Sequence, residues 1–413
     1  MKRSMLTSDF CRQLRVKAQW GFTCVVLLSG MLACGITTGE PATAPLFEQW
    51  FVTAGGAPPT ALRQARRSAL DSLRDAIRRS RGPGNGSVVL TDTSGTAYTM
   101  GFGTPTAYRN DSTYPLIIYL HGGTGAARSD KGEHAWEMLG ILSDSMQLFF
   151  ASPSAGRDAF WWSPTGLSRI LQTLRYMSLH YPVNPRKVFL AGVSDGATGC
   201  WAAANTIAAP FAGFIAISGF GGMLPQLGME LRPENLMQRP IYDINAGRDR
   251  LYPLAAVNSF LDRLEQQGVG IRRKVYPDEE HGFDYRDRER STLCSLVRTW
   301  SLPAAGPVNW HAPRGYPFSV TGVVAARRSA NGSFSLREYR RNDTVFLETA
   351  GLDGLQMYFE KERSGGEGCM FSINGTRPGR LKKRPPGTAT VLEYMKQRCF
   401  PLVPDGVVYT IPL

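Results

Sequence analysis

Between residues 86 and 300 short apolar runs alternate with longer stretches whose apolar positions recur every three or four residues. The runs are LIIYL (116–120), QLFFASP (147–153), KVFLAG (187–192), GFIAIS (213–218), PIYDINAG (240–247) and IRRKVYP (271–277). Most are too continuous for one wet and one dry face, which predicts strands of a sheet covered on both sides. LSRILQTLRYMSLHY and LAAVNSFLDRLEQQG, lying between them, carry the helical period. Strand and helix in alternation predict an α/β unit, a mostly parallel sheet with helices on both faces. SVVL and AYTMGFG (87–103) precede it as an antiparallel hairpin.

The pattern then changes. SLPAAGPVNWHAPRG (301–315) reads as a linker. FSVTGVVA, SFSLREY, TVFLETAG, LQMYFEK, CMFSING and GVVYTIP are short, β-branched or aromatic, and separated by turn residues. Residues 316–413 are therefore expected to form a small C-terminal all-β domain, a sandwich. A sugar-binding accessory module and a support for the catalytic part both fit, and the second requires less.

At the other end, Lys2, Arg3, Arg12, Arg15 and Lys17 precede the apolar stretch GFTCVVLLSGMLAC, which is too short to span a bilayer. Residues 1–33 read as a secretory signal. MLAC (31–34) resembles a bacterial lipobox, in which Cys34 would be lipidated and become the mature N-terminus. Met31 and Leu32 depart from its commoner form, so plain cleavage to a soluble periplasmic or secreted protein stands as the alternative. Residues 34–59, rich in Thr, Gly, Ala and Pro, read as a tether. Residues 60–85 read as a basic helix and linker, with Leu62, Ala65, Ala69, Leu70, Leu73 and Ile77 on its apolar side.

At 413 residues with 43% hydrophobic positions, the chain can bury a sizeable core. Its formal charge of +13 falls to +9 once residues 1–33, with five basic residues and Asp9, are removed. The arginines of 60–81 are not interleaved with aromatic stacking residues, so no nucleic-acid partner is expected. A membrane is expected only through a lipid anchor. Beyond Cys34 the exported chain has Cys200, Cys294, Cys369 and Cys399. Cys369 with Cys399 is the first candidate disulfide, and Cys200 reads as a small core hydrophobe. No Cys/His spacing suggests zinc.

Candidate chemistry gathers at the carboxyl ends of the expected strands, where such sheets place their sites. KVFLAG runs into Gly-Val-Ser-Asp-Gly and then ATGCWAAANTIAA, a strand–turn–helix sequence that would present Ser194 as a nucleophile. Of the five histidines only His281 and His311 follow it, and His281, just past a strand in DEEHGF, is the expected base. Asp249, in INAGRDRLYP, is the expected orienting acid, with Glu279 second. Arg248 and Arg250 would keep Asp249 ionised. The oxyanion donors would be the Asp195 N–H and an N–H from YLHGGTG, at Gly123 or Thr124. Trp161 and Trp162, in DAFWWSP, could line a pocket or pack the core.

LHGG, GVSDG, GRDRLYP and DEEHGF, in the order Ser, Asp, His, resemble the α/β-hydrolase superfamily. The similarity covers 86–300 and is nearest to secreted bacterial esterases related to feruloyl esterases, polyhydroxybutyrate depolymerase-like proteins and dienelactone hydrolases. It implies that Ser194 attacks an acyl carbon, His281 relays the proton and Asp249 holds the imidazole. It implies no cofactor. The substrate it implies is a carboxylic ester, small-molecule or polysaccharide-linked. A serine exopeptidase resembling the prolyl oligopeptidase group shares this order of residues, and a non-catalytic envelope binding protein is a further alternative. Oligomeric state is not fixed.

Overall fold

The apolar runs pair into one eight-stranded sheet, seen in a computed structural model. It describes residues 83–413 except 110, 126–129, 136–141, 143–144, 304–306, 321–322, 330–331, 360–369, 382–406 and 412. The signal segment, Cys34, the tether, nearly all of the basic helix, Cys369 and Cys399 lie outside the described residues.

Strands β1 (Gly86–Thr91), β2 (Ala97–Gly103), β3 (Tyr114–Leu120), β4 (Phe149–Pro153), β5 (Val183–Val193), β6 (Gly213–Ile217), β7 (Ile241–Ala246) and β8 (Ile271–Tyr276) stand in the order 1-2-4-3-5-6-7-8. β1 and β2 form the expected antiparallel hairpin, β2 meets β4 antiparallel, and every pair from β4 to β8 is parallel. The central runs are buried on both faces because helices cover both. Leu116, Ile118 and Leu120 enter one core cluster, while Ile117 and Tyr119 enter the other.

Helix α1 (Gly132–Ala135) is a short turn against β4. Helix α2 (Pro164–His180) starts with Pro164 at its first position and Ser163 as cap, whose hydroxyl accepts the Gly166 N–H at 3.0 Å. It buries Leu167, Ile170, Leu174 and Met177, the predicted stripe. Helix α3 (Asp195–Thr206) is buried along almost its whole length, which Ala, Gly and Cys allow. Helices α4 (Pro233–Leu236), α5 (Leu254–Gln266) and α6 (Arg286–Thr299) complete the set described here. Cys200 and Cys294 are buried free thiols, as the core reading of Cys200 expected.

A buried ion pair fixes the loop that follows β4. Arg169 on α2, 1% exposed, donates to Asp92 at 2.6 Å, to Asp158 at 2.7 Å and to the Ser154 carbonyl at 3.1 Å. The Tyr98 ring lies under its guanidinium. Removing one member would leave an uncompensated buried charge.

The region beyond β8 and α6 is all strand among the described residues, but two expectations change. Val308–Ala312, read as linker, is strand β9, paired antiparallel with β11 (Phe334–Arg341). Its alternation of Val308, Trp310 and Ala312 inward was obscured by the flanking Pro and Gly residues. With β12 (Thr344–Ala350), β14 (Met370–Ile373) and β15 (Gly379–Arg380) these make a five-stranded sheet. β10 (Val323–Arg328), β13 (Leu352–Phe359) and β16 (Val407–Ile411) make a three-stranded one. Phe371 and Tyr409 bring the two sheets into contact, ring centroids 4.7 Å apart. The strands are also not set apart as a separate body: Thr53–Leu413 form one compact unit. Asn235 of α4 bonds both the carbonyl and the N–H of His311, so β9 is tied to the α/β part.

Candidate active site

Ser194 stands between the end of β5 and the first residue of α3, with φ 57° and ψ −120°. That left-handed conformation is unusual for a residue with a side chain and is held from three sides. The Ser194 N–H donates to Ile217, and its carbonyl accepts from Ala197 and Thr198 at 2.9 and 3.1 Å. The flanking glycines are needed for space. A Cβ on Gly192 would lie 2.3 Å from the Gly196 oxygen, and one on Gly196 2.0 Å from the Leu120 oxygen.

The two partners expected for Ser194 converge on it. His281, on the loop after β8, has Nε2 3.0 Å from Ser194 Oγ and Nδ1 2.7 Å from Asp249 Oδ2. Asp249, after β7, accepts the Leu251 and Tyr252 N–H groups on its other oxygen at 2.8 and 2.9 Å. Its carboxylate is thus fixed, Nδ1–H donates to it, and the Nε2 lone pair is left for the Ser194 hydroxyl. The expected help from Arg248 is not there: that guanidinium pairs with Asp278 at 2.8 Å. Glu279, the second acid candidate, pairs with Arg288, and its carbonyl accepts the Arg248 N–H. His311 lies on β9, 4.0 Å from Glu230.

The loop after β3 passes directly over Ser194, where a Cβ on Gly122 would be 2.9 Å from the Ser194 Cβ. Of the two donors considered there, Thr124 is excluded. Its N–H donates to Asp195 Oδ2 at 2.7 Å and its hydroxyl to the same oxygen at 2.8 Å. Gly123, at φ 66°, has no hydrogen bond to its N–H among the described residues. The Asp195 N–H, at the start of α3, has no intrahelical acceptor. Gly123 and Asp195 therefore present free donors beside Ser194.

His121 anchors this loop. The Ala155 N–H donates to its Nε2 at 3.0 Å, so Nδ1 carries the proton and donates to the Gly122 carbonyl at 2.9 Å. Burial pushes its pKa down to about 4, keeping the ring neutral. Trp161 completes the anchor. Fully buried, it donates its indole N–H to the His121 carbonyl at 2.9 Å and packs where Gly199 has no side chain. It is a core residue and does not line a pocket. Trp162, half-buried, stacks on Phe160 at 5.1 Å and packs against the core cluster that contains Trp161.

Three side chains of the site were missed in the sequence. Tyr252, three residues after Asp249, has its hydroxyl 3.5 Å from Asp195 Oδ1 and its ring edge-on to His281. Burial, then the Asp195 charge, raises its pKa. Phe220, just past β6, packs on Tyr252 and Phe260. Lys131 donates to the Gly122 carbonyl at 2.6 Å. The first two follow strand ends, the one signal that could have found them. Among the described residues no cluster of His, Cys, Asp or Glu could hold a metal, and no helix is long and apolar enough to cross a membrane.

Residues 156–301, which contain Ser194, Asp249 and His281, match the model of the dienelactone hydrolase family. That match covers about a third of the chain, lies within the α/β fold described above, and supports a hydrolase enzyme. No curated protein sequence matches the chain. Among solved structures it is similar to a thermostable esterase at 18% identity and TM-score 0.43, over 52% of this chain and 63% of that one. It is similar to FphF, a fluorophosphonate-binding serine hydrolase of Staphylococcus aureus, at 16% identity and TM-score 0.43, over 52% of this chain and 99% of that one. An acylaminoacyl peptidase of Pyrococcus horikoshii gives 12% and 0.43, over 56% of this chain and 44% of that one.

Proposed function

We propose that this hydrolase cleaves carboxylic esters through an acyl-enzyme on Ser194. The hydrogen-bonded series Asp249–His281–Ser194, ending on a strained turn, is the observation that carries the reading. His281 Nε2 takes the hydroxyl proton as Ser194 Oγ attacks the acyl carbon, and Asp249 holds the ring and stabilises the imidazolium. The negative oxygen of the tetrahedral intermediate is met by the Gly123 and Asp195 N–H groups. His281 then gives its proton to the departing alcohol, and a water activated by the same nitrogen releases the acid.

Tyr252, edge-on to His281, and Phe220, packed on Tyr252, favour an ester with an aryl or other flat group, free or linked to a polysaccharide. The C-terminal strands serve as a support packed on the catalytic part, a reading favoured by the Asn235–His311 bonds. Export through residues 1–33, with Cys34 as a lipid anchor in a bacterial envelope, rests on the basic and apolar pattern of that segment.

A panel of p-nitrophenyl esters and aminoacyl-p-nitroanilides tests the reaction class. Turnover of acetate or aryl esters with negligible anilide cleavage is expected. Preferential anilide cleavage would make the protein a peptidase.

A further inference from the structure

We propose that Lys131 is a positioning residue for the oxyanion site, aiming the Gly123 N–H by holding the opposite end of the same peptide group. The proposal rests on the acyl-enzyme reading above. The Gly122 carbonyl accepts from the Lys131 ammonium at 2.6 Å and from His121 Nδ1–H at 2.9 Å, so both of its lone pairs are used. The Gly122 carbonyl and the Gly123 N–H belong to one trans peptide and point in opposite directions. Fixing the carbonyl therefore fixes the direction of the donor.

A cationic partner also polarises the peptide more strongly than a neutral one. It withdraws electron density from the carbonyl and so strengthens the N–H at the far end as a donor. The next peptide is clamped as well, because the Thr124 N–H is bound by Asp195. Gly123 carries the one unengaged N–H between two pinned groups.

Lys131 is itself held in place. The Gly132 N–H that follows it donates to Ser154 Oγ at 2.8 Å, and a Cβ on Gly132 would lie 2.4 Å from the Ser152 carbonyl oxygen. Only glycine lets α1 sit this close to β4. The ammonium in turn lies 2.8 Å from where a Gly123 Cβ would be, and the φ of 66° is what calls for glycine there. No carboxylate pairs with Lys131 among the described residues, so its charge is directed at the loop.

The test compares wild type, Lys131→Met and Lys131→Arg in two assays, with melting temperature recorded for each. The first assay is the second-order rate of labelling by a fluorophosphonate, whose phosphoryl oxygen occupies the oxyanion site. The second is kcat and KM on p-nitrophenyl acetate. Lys131→Met is expected to slow labelling and lower kcat by about 10- to 100-fold, less than the 10²–10³ typical when a donor itself is removed. KM should stay within about twofold, since the contact acts on the transition state. Lys131→Arg should recover most of both rates at an unchanged melting temperature. Labelled wild type with an equally fast Lys131→Met variant overturns the role of Lys131 alone. So does a loss that tracks melting temperature and is not rescued by arginine. Wild type that neither labels nor turns over overturns the acyl-enzyme reading and this role with it.

Discussion

The Thr124 N–H and hydroxyl both donate to one carboxylate oxygen of Asp195. Asp195 is also the residue whose own N–H stands beside Ser194 at the start of α3. In the proposed mechanism one residue thus supplies an oxyanion donor from its backbone, while its side chain ties down the opposing loop. Asp195→Ala frees that loop while leaving the backbone donor, so kcat should fall by about tenfold or more with little change in melting temperature. Asp195→Asn, which keeps an acceptor, should lose less. An alanine variant with wild-type kcat would show that the loop holds its shape without the tie.

The two adjacent tryptophans should separate in stability. Trp161→Ala leaves a large cavity and an unpaired His121 carbonyl, and should cost about 3–5 kcal/mol in urea unfolding. Trp162→Ala, at a half-buried site, should cost clearly less. The reverse order would contradict the placement of Trp161 in the core.

Asp243 gives a stability effect with a definite sign in pH. It lies on β7 and is 1% exposed, with Trp201 Nε1 and Asn245 Nδ2 as its hydrogen-bond donors. Burial raises its pKa to about 7. A raised folded-state pKa means the native state binds the extra proton between about pH 4 and 7. Stability from this group is full below pH 4 and is lost as pH rises through 7. Asp243→Asn removes that loss, so its stability relative to wild type should improve from pH 4.5 to pH 8. A difference that does not vary with pH would show that Asp243 is ionised throughout.

Much of this was readable in the chain. Continuous apolar runs predicted the buried parallel strands because no other element buries both faces over five or six residues. Ser194, His281 and Asp249 were found because each follows such a run. The failures have physical causes of their own. Thr124 and Gly123 are adjacent in sequence, and only the folded loop shows that Asp195 already occupies the Thr124 N–H. Trp161 and Trp162 are chemically identical, and a loop lacks the periodicity that would tell inside from outside. Lys131 is eight residues from Gly123, and the contact depends on how α1 seats on β4, which the sequence pattern does not encode.

Asp249 and Glu279 can be told apart directly. Asp249→Asn would hold the wrong imidazole tautomer, with kcat down by about 10⁴ in the well-studied serine protease case. Glu279→Gln removes only an ion pair with Arg288 and should keep wild-type kcat. Equal losses in both variants would contradict the assignment of the acid role to Asp249.

The central claim is that Ser194 is a nucleophile, and mass spectrometry of the intact protein after fluorophosphonate treatment tests it most directly. One adduct per chain is expected, mapped to the peptide containing Ser194. A folded Ser194→Ala protein should take up none and lose ester turnover by about 10⁴-fold or more. A folded Ser194→Ala protein that still forms the adduct or still turns over ester would contradict the account.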